Sequence, residues 1–289
     1  MSPKLRIVHL SDFHFDGSPE LKTALNRLVS RAIDCRPDLV VVTGDLSADG
    51  RPAELDAVAL ELARFDPVPR VILPGNRDLV PSVGPPGEAR PLPADSDLDF
   101  FLALEPALGF GFDEADQADV PERDPAARFA ARFGPLATDR ADPRFEVVGI
   151  NSTGRLRPAV AGRAAHRLGH APGQAVRIVA LHHGLLPVPG RKLREGDLAS
   201  QAGDLLAWFL ELKVDLVLHG HIHRAHAWLV SDGHHQTVVA SAGALVNDGR
   251  RDSSFNEIRL ADGKLEIYLR SVATGEPTLL FRTKRRGRS

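Results

Sequence analysis

Residues 5–14 read LRIVHLSDFH, an apolar run that ends in a polar cluster containing Asp12 and His14. The run is short and rich in leucine and β-branched side chains, as is typical of a buried strand in a parallel sheet. In open α/β sheets, ligands gather beyond the carboxyl ends of such strands. This stretch therefore predicts an α/β sheet whose first strand delivers two chemically active side chains to a site.

The same arrangement recurs at four further places along the chain. Short apolar runs at 39–43, 71–73, 176–181 and 216–218 are each followed by a polar cluster. These clusters are Gly44-Asp45, Gly75-Asn76-Arg77-Asp78, His182-His183 and Gly220-His221-Ile222-His223. Because parallel strands end at the same edge of a sheet, the five clusters are expected to converge on one site.

The segments between these runs indicate the fold class. Apolar side chains at helical spacing predict helices over 20–33, 53–65 and 204–212, so that the chain begins with βαβ units. A strand is predicted over 145–150, and alternating runs at 227–230, 237–240, 257–260 and 265–269 predict antiparallel hairpins. The basic tail from Thr283 to Ser289 is expected to be a frayed terminus.

A single domain over residues 1–289 is expected, because no convincing linker interrupts the chain. Prolines crowd the segment from 81 to 97 and an acidic stretch follows, with little periodicity. We therefore expect an irregular cap or insertion at about 81–144 that covers the cleft and shapes specificity.

Composition restricts the classes of partner. The formal net charge is −2, which gives no bulk attraction for nucleic acid or for a membrane surface. No window approaches the roughly 20 apolar residues of a membrane span. The one cysteine, Cys35, excludes an intramolecular disulfide, and a cytoplasmic location is expected. The sequence neither predicts nor excludes a homo-oligomer.

The donor set of the five clusters points to metal binding. Carboxylate and amide oxygens mixed with imidazoles suit Mn, Fe, Zn or Co, and the clusters hold enough donors for two divalent or trivalent ions. Asp45, with no histidine beside it, is the natural bridge between two ions. Two ions would clamp a phosphoryl group and lower the pKa of a shared water, which would be the nucleophile.

The order D-x-H, G-D, G-N-x-D, H-H, G-H-x-H resembles the calcineurin-like metallophosphoesterase superfamily, with the match running from Ile7 to His223. The resemblance implies an α/β fold that is a four-layer α/β/β/α sandwich of two mixed β-sheets flanked by helices. It also implies seven metal ligands: Asp12, His14 and His223 for one ion, Asn76, His182 and His221 for the other, and Asp45 as the bridge.

A second similarity is to the branch that contains the class III cyclic-nucleotide phosphodiesterases and the glycerophosphodiesterases. It rests on 149–152, on Gly169, on Gly44-Asp45-Leu46 and on the helix-like stretch 128–133. That branch usually has histidine in the third motif, where it is thought to protonate the leaving oxygen, and this chain has Arg77. An arginine cannot act as a general acid, although it can hold phosphate oxygens bidentately.

Arg77 leaves two enzyme readings open. The preferred one is a phosphodiesterase acting on a cyclic nucleotide or a comparable small diester, with Arg77 and His183 as catalytic candidates and His226 as another source of a proton. The rival is a pyrophosphatase of a nucleotide-diphospho compound such as UDP-2,3-diacylglucosamine, a family that shares G-N-R-D and whose leaving group needs no proton. A non-catalytic metal-binding module and a nuclease are the alternatives from other classes.

Overall fold

The computed structural model describes residues 4–80, 124–245 and 253–285. The strands within these ranges are β1 Leu5–Leu10, β2 Leu39–Thr43, β3 Arg70–Leu73, β4 Asp139–Asp142, β5 Phe145–Gly149, β6 Val176–Ala180, β7 Leu216–His219, β8 His226–Ser231, β9 Gln236–Ser241, β10 Ser254–Ala261, β11 Lys264–Ser271 and β12 Pro277–Lys284. The helices are α1 Pro19–Asp34, α2 Pro52–Ala63, α3 Pro125–Phe133, α4 Pro158–Gly169 and α5 Ala202–Glu211.

The strands form two six-stranded mixed sheets. The first has the order β12-β11-β10-β1-β2-β3, in which β1, β2 and β3 are parallel and β10 joins β1 antiparallel. The second has the order β4-β5-β6-β7-β9-β8, with β5, β6, β7 and β9 parallel and antiparallel strands at both edges. The parallel strands are nearly all buried, which explains their continuous apolar sequences.

The two faces of β1 show how the layers are built. Successive strand residues point to opposite faces. Ile7 lies in the core between the sheets, together with Phe145 of the second sheet. Val8 points the other way, into a core formed with α1. A third core, which includes Phe209 of α5, covers the outer face of the second sheet. The predicted α/β/β/α sandwich is therefore confirmed.

Helix α1 illustrates how local sequence sets a boundary. The Ser18 side chain accepts a hydrogen bond from the Leu21 N–H at 3.4 Å, and Pro19 occupies the first turn, where its missing N–H costs nothing. Leu25, Leu28, Val29 and Ala32 of this helix are buried against the sheet. The helix crosses from β1 to β2, so that both strands end at the same edge.

Two elements differ from the sequence predictions. Helix α4 was not predicted, because only Ala164 and Leu168 of it are buried and its apolar pattern is weak. The basic tail is not frayed at its start: Thr283 and Lys284 belong to β12, and the Arg285 side chain bonds both carboxylate oxygens of Asp215, at 2.9 and 3.0 Å. The expectation of a frayed tail was wrong there because pairing with β11 and the Asp215 ion pair are long-range contacts.

Residues 81–123 of the expected cap at 81–144 lie outside the described residues. Its remaining part contains α3, which packs beside α2, and β4, which pairs with β5 at the edge of the second sheet. None of the described helices is long and apolar enough to cross a membrane.

Candidate metal centre

The loops that follow β1, β2, β3, β6 and β7 meet at one edge of the sandwich. The backbone N–H of Asp12 donates to the Gly44 carbonyl at 2.9 Å, and the His14 N–H donates to the Asp45 carbonyl at 3.0 Å. The Gly220 N–H donates to the His182 carbonyl at 3.0 Å. The first and fifth clusters, 209 residues apart in sequence, are joined by the His221 N–H, which donates to the Asp12 carboxylate at 3.0 and 3.1 Å, and the predicted convergence is found.

One group of donors comprises Asp12, His14, Asp45 and His223. The Nε2 atoms of His14 and His223 are 2.8 Å apart. The Asp12 Oδ1 atom lies 3.5 Å from His223 Nε2 and 3.9 Å from His14 Nε2. Two donors bound to one ion at about 2.1 Å are about 3.0 Å apart at right angles and about 3.4 Å apart at tetrahedral angles, which is within the observed range of separations. The spacing of this group therefore fits ligands that share one cation.

The second group contains His182 and His221, whose Nε2 and Nδ1 atoms are 3.2 Å apart. The Asn76 Oδ1 atom lies 3.1 Å from His182 Nε2. His182 Nδ1 lies 2.7 Å from the Thr43 carbonyl, which can only accept, so this nitrogen carries the proton. His182 Nε2 is then left with a lone pair for a metal ion, as in many histidine ligands whose other nitrogen is bonded to a carbonyl.

Asp45 lies between the two groups. Its Oδ2 atom is 3.8 Å from His14 Nε2 in the first group, and its Oδ1 atom is 3.5 Å from His182 Nε2 in the second. Oδ1 also accepts the backbone N–H of Arg77 at 2.9 Å, which fixes the carboxylate plane. The two oxygens of one carboxylate thus face different donor groups, which is the arrangement that a bridging ligand requires.

Several residues at this site share the same strained backbone conformation. Five of the seven predicted ligands have φ in the left-handed region between 45° and 67°: Asp12, His14, Asp45, His221 and His223. Non-glycine residues adopt this conformation at a cost of about 1 to 3 kcal/mol each where the surroundings enforce it. The tight turns put the side chains at the sheet edge, and the sequence pattern gave no sign of them.

Two glycines allow the loops to approach closely. A side chain at Gly75 would clash with the Asp45 carboxylate and would lie 2.7 Å from His182 Cε1. A side chain at Gly220 would clash with Ser11 and would lie 2.7 Å from Asp12 Oδ2. The glycines of the third and fifth clusters are therefore required for packing against the ligands, because any Cβ there would displace a carboxylate.

Burial sets the charge state of the imidazoles. It lowers the pKa of His182 and His221 to about 3, and that of His14 to about 4. These rings are therefore neutral near pH 7 and carry the lone pairs that metal binding needs. Burial, with the charges of Asp12 and Asp78, raises the pKa of Asp45 well above its usual value. The carboxylates of the centre repel each other unless cations compensate them, so the donor set fits positively charged ions.

The burial of these rings predicts that the stability of the metal-free protein depends on pH. Six histidines have pKa values lowered by burial to about 3 or 4, namely His9, His14, His182, His183, His219 and His221. The unfolded chain protonates them near pH 6.5, so unfolding takes up protons between about pH 6.5 and 4, and stability falls as the pH falls through that window. The six histidines outnumber the five groups whose raised pKa values act in the opposite direction, namely Asp45, Asp78, Glu54, Glu146 and His223.

Each proton taken up lowers the free energy of unfolding by about 1.4 kcal/mol per pH unit. Urea midpoints of chelator-treated protein at pH 7.5, 6.5 and 5.5 measure this, and we expect a clear decrease at the lowest pH. A midpoint that is constant over this range would contradict the assignment of neutral, buried histidines.

Several supporting residues were not identified as functional from the sequence. Asp78 is fully buried and its carboxylate accepts the backbone N–H groups of Gly75, Leu46 and Ser47, at 2.9 to 3.1 Å, and so ties the second and third clusters together. Ser152 Oγ accepts the N–H groups of His182 and His183 at 3.1 and 3.0 Å. Asp78 stands within the third motif, whereas nothing local in the sequence marks Ser152 as a partner of the fourth.

The catalytic candidates occupy different positions. The Arg77 guanidinium has no hydrogen bond or ion pair with another described residue. Burial, with smaller effects from the charges of His223 and Arg77, lowers the pKa of His14 to about 4. At His223, burial and the charge of Arg77 are outweighed by the hydrogen bond and the charge of Asp12, so its pKa is raised. His183 is buried, its Nδ1 lies 3.1 Å from Ser152 Oγ, and one of its ring nitrogens lies close to those of His182 and His221. His226 begins β8 and packs edge-on against Trp228, with ring centres 4.4 Å apart.

These positions determine which residue could protonate the leaving oxygen. Burial lowers the pKa of His183 to about 3, so its ring is neutral near pH 7, and its roles as an additional ligand or a neutral hydrogen-bond donor fit better than that of a charged acid. His226 makes no hydrogen bond to a ligand side chain among the described residues. Arg77 has free donors beside the two groups of predicted ligands.

The fold and the paired donor groups define a class of two-sheet α/β sandwich proteins that carry metal-ligand clusters at one sheet edge. The profile of the calcineurin-like phosphoesterase family matches residues 5–225. The chain therefore belongs to this family. Comparison with curated protein sequences gives no match.

Solved structures share the fold at low sequence identity. A purple acid phosphatase from yellow lupin seeds is 17% identical with a TM-score of 0.64, covering 99% of this chain and 54% of its own, so this chain spans about half the length of that protein. A dimetal phosphatase from Danio rerio is 14% identical, with a TM-score of 0.59 and coverage of 97% and 100%. GAP50, the anchor in the inner membrane complex of Plasmodium, is 14% identical, with a TM-score of 0.57 and coverage of 99% and 90%.

Proposed function

We propose that this protein is a dinuclear metal-dependent phosphoesterase that hydrolyses a phosphodiester of small size, such as a cyclic nucleotide. The observation that carries the proposal is the position of Asp45, whose two oxygens face two separate groups of donors. Asp12, His14 and His223 would hold one ion, and Asn76, His182 and His221 the other. Membership of the calcineurin-like phosphoesterase family supports the same reading.

Bound cations would supply Lewis-acid stabilisation of the phosphoryl oxygens and a lowered pKa for water at the centre. The chain's own residues contribute orientation and charge. The Thr43 carbonyl keeps His182 Nε2 unprotonated, and the Arg77 N–H fixes the Asp45 carboxylate. The free fork of Arg77 is suited to hold two phosphoryl oxygens and to neutralise charge that develops on them.

A second candidate is hydrolysis of a phosphoanhydride, and Arg77 is the observation that favours it. Arg77 cannot donate a proton to a leaving alkoxide, and neither His183 nor His226 is well placed to do so. A leaving phosphate needs no proton, because its second pKa is about 6. A nucleotide-diphospho compound would therefore suit this centre chemically.

Rivals from other classes receive less support. GAP50 shares the fold and is described as an anchor, so the fold alone does not require catalysis. A non-catalytic module would not need a complete ligand set, and all seven predicted ligands are present here. A nuclease would need a broad basic groove, which a net charge of −2 does not favour.

The test combines metal content with hydrolysis. We expect about two ions per chain after reconstitution with manganese, and hydrolysis of bis(4-nitrophenyl) phosphate that chelator removes and manganese restores. His221→Ala should lower both, whereas His166→Ala, at an exposed histidine outside the centre, should lower neither. One ion or none, or hydrolysis that is unaffected by the chelator, would contradict the proposal.

Other features remain predictions. These are the identity of the ions among Mn, Fe, Zn and Co, a cytoplasmic location, a single domain over 1–289, the absence of a nucleic-acid surface, and the oligomeric state.

A further inference from the structure

The loop between β6 and α5 places an arginine beside the ligand turn. Arg191 Nη1 donates to the Ile222 carbonyl at 2.7 Å, and Ile222 separates the predicted ligands His221 and His223. Arg191 Nη2 donates to Asp197 Oδ1 at 2.7 Å. The guanidinium is therefore fixed to the backbone of the fifth cluster rather than free in solvent.

Asp197 is the residue that holds this arginine in place. It is buried, and its other oxygen accepts the Arg194 N–H at 2.7 Å. The loop is also joined to the fourth cluster, since the Ala199 N–H donates to the Gly184 carbonyl at 2.8 Å. A buried carboxylate inside an anchored loop gives Arg191 a defined position, which is what recognition of a charged group requires.

Arg191 keeps donors available for a ligand. A guanidinium has five N–H groups, and two of them are used by Ile222 and Asp197. Its side chain is 29% exposed, so it is reached by solvent.

His223 follows Ile222, whose carbonyl accepts a hydrogen bond from Arg191, and the His223 side chain is 45% exposed, which puts it on the open side of the centre. Arg77, whose backbone N–H donates to Asp45, is the second arginine at this centre. The two arginines come from different loops, one after β3 and the other after β6. An anion bound at the centre would therefore be offered a fixed guanidinium by Arg191 and a free one by Arg77.

We propose that Arg191 is a specificity-determining residue that binds a second phosphate adjoining the scissile one, so that the preferred substrate is a phosphoanhydride such as a nucleotide-diphospho compound. The inference rests on the proposed dinuclear phosphoesterase, and it favours the second candidate substrate, a phosphoanhydride, over a phosphodiester. Water adds to one phosphorus, the bond from that phosphorus to the bridging oxygen breaks, the other phosphate leaves with the bond electrons, and the proton of the water passes to solvent.

The test compares two substrates of manganese-loaded protein, UDP-glucose and bis(4-nitrophenyl) phosphate. Arg191→Gln should lower kcat/KM for UDP-glucose on the order of 10 to 100-fold, mainly through KM, because a charge-assisted hydrogen bond to phosphate is lost. The same substitution should change kcat/KM for bis(4-nitrophenyl) phosphate by less than about 3-fold, because the diester does not contact this side chain. Arg191→Lys should give an intermediate loss, since charge is kept without the fork.

Arg194→Gln is the matched control, because it removes the same charge from an exposed position of the same loop. It should leave the ratio of the two kcat/KM values unchanged. Equal losses on both substrates with a lower melting temperature would show that Arg191 only anchors the loop, and would overturn the inference.

A binding measurement separates this inference from the proposed function. The affinity of the protein for UDP relative to UMP should fall on the order of 10-fold in Arg191→Gln, because the second phosphate loses its partner. An unchanged ratio would overturn the inference even if both compounds are hydrolysed. The preference for UDP over UMP could be lost in Arg191→Gln although the unaltered protein hydrolyses no substrate. That result would support the phosphate-binding role of Arg191 and contradict the phosphoesterase function.

Discussion

Replacing Asp45 with Asn is expected to abolish activity while stabilising the metal-free protein. Asparagine preserves the shape, accepts the Arg77 N–H as the carboxylate does, and tolerates the left-handed backbone at φ 52°. It has one oxygen in place of two, so it cannot bridge. We expect both ions to be lost and kcat/KM to fall on the order of 10³-fold, the upper range for loss of one preorganised electrostatic group.

The stability effect has the opposite sign because Asp45 is a buried, repelled anion. Burial, with Asp12 and Asp78, raises its pKa well above the usual value. Each unit of such a shift corresponds to about 1.4 kcal/mol of unfavourable charge near neutral pH. The urea midpoint of chelator-treated Asp45→Asn protein at pH 7.5 should therefore exceed that of the unaltered protein.

Asp49→Asn is the matched control for this experiment. Asp49 lies four residues further along the same loop, and its side chain is 50% exposed and paired with Arg51. Metal content, activity and stability should all be nearly unchanged in this variant. An Asp45→Asn protein that kept two ions and most of its activity would show that the bridge was assigned to the wrong residue.

The sequence predicted which side chains meet at this centre but not the contacts that hold them in place. Asp12, Asp45 and His182 could be found because each follows an apolar strand run, which is a local pattern. The left-handed backbone at Asp12 and Asp45 could not be predicted from the sequence, because it depends on hydrogen bonds between neighbouring loops. Local periodicity carries no information about such contacts.

The same reasoning applies to the supporting residues. Ser152 and Arg191 act through residues 30 or more positions away, so no short motif could indicate their roles. Strand β12 was missed because its partner β11 and the bond from Arg285 to Asp215 supply its stability. Helices α1 and α2 were predicted, in contrast, because their apolar faces repeat at helical spacing.

Activity should depend steeply on the leaving group, because Arg77 stabilises charge without donating a proton. Its guanidinium has no hydrogen bond or ion pair with another described residue, and it cannot be deprotonated at any working pH. Leaving oxygens must then depart as anions. We expect kcat/KM for phosphodiesters to fall sharply as the pKa of the leaving group rises, so that aryl diesters and phosphoanhydrides are good substrates and alkyl diesters are poor ones.

Arg77→His separates charge stabilisation from proton donation. Histidine at this position supplies a group that can act as an acid, while the bidentate contact with phosphate is lost. The fastest aryl substrates should slow on the order of 10² to 10³-fold, and the dependence on leaving-group pKa should become shallower. Arg77→Gln is the control, since it removes the charge without supplying an acid, and its dependence should stay steep.

The measurement is kcat/KM across a series of substituted phenyl and alkyl phosphodiesters for the three proteins. A shallow dependence already present with Arg77, and unchanged by either substitution, would mean that another residue protonates the leaving oxygen. His183→Ala and His226→Ala would then identify it. That outcome would favour a cyclic nucleotide over a phosphoanhydride, because only the alkoxide leaving group of the diester requires the proton.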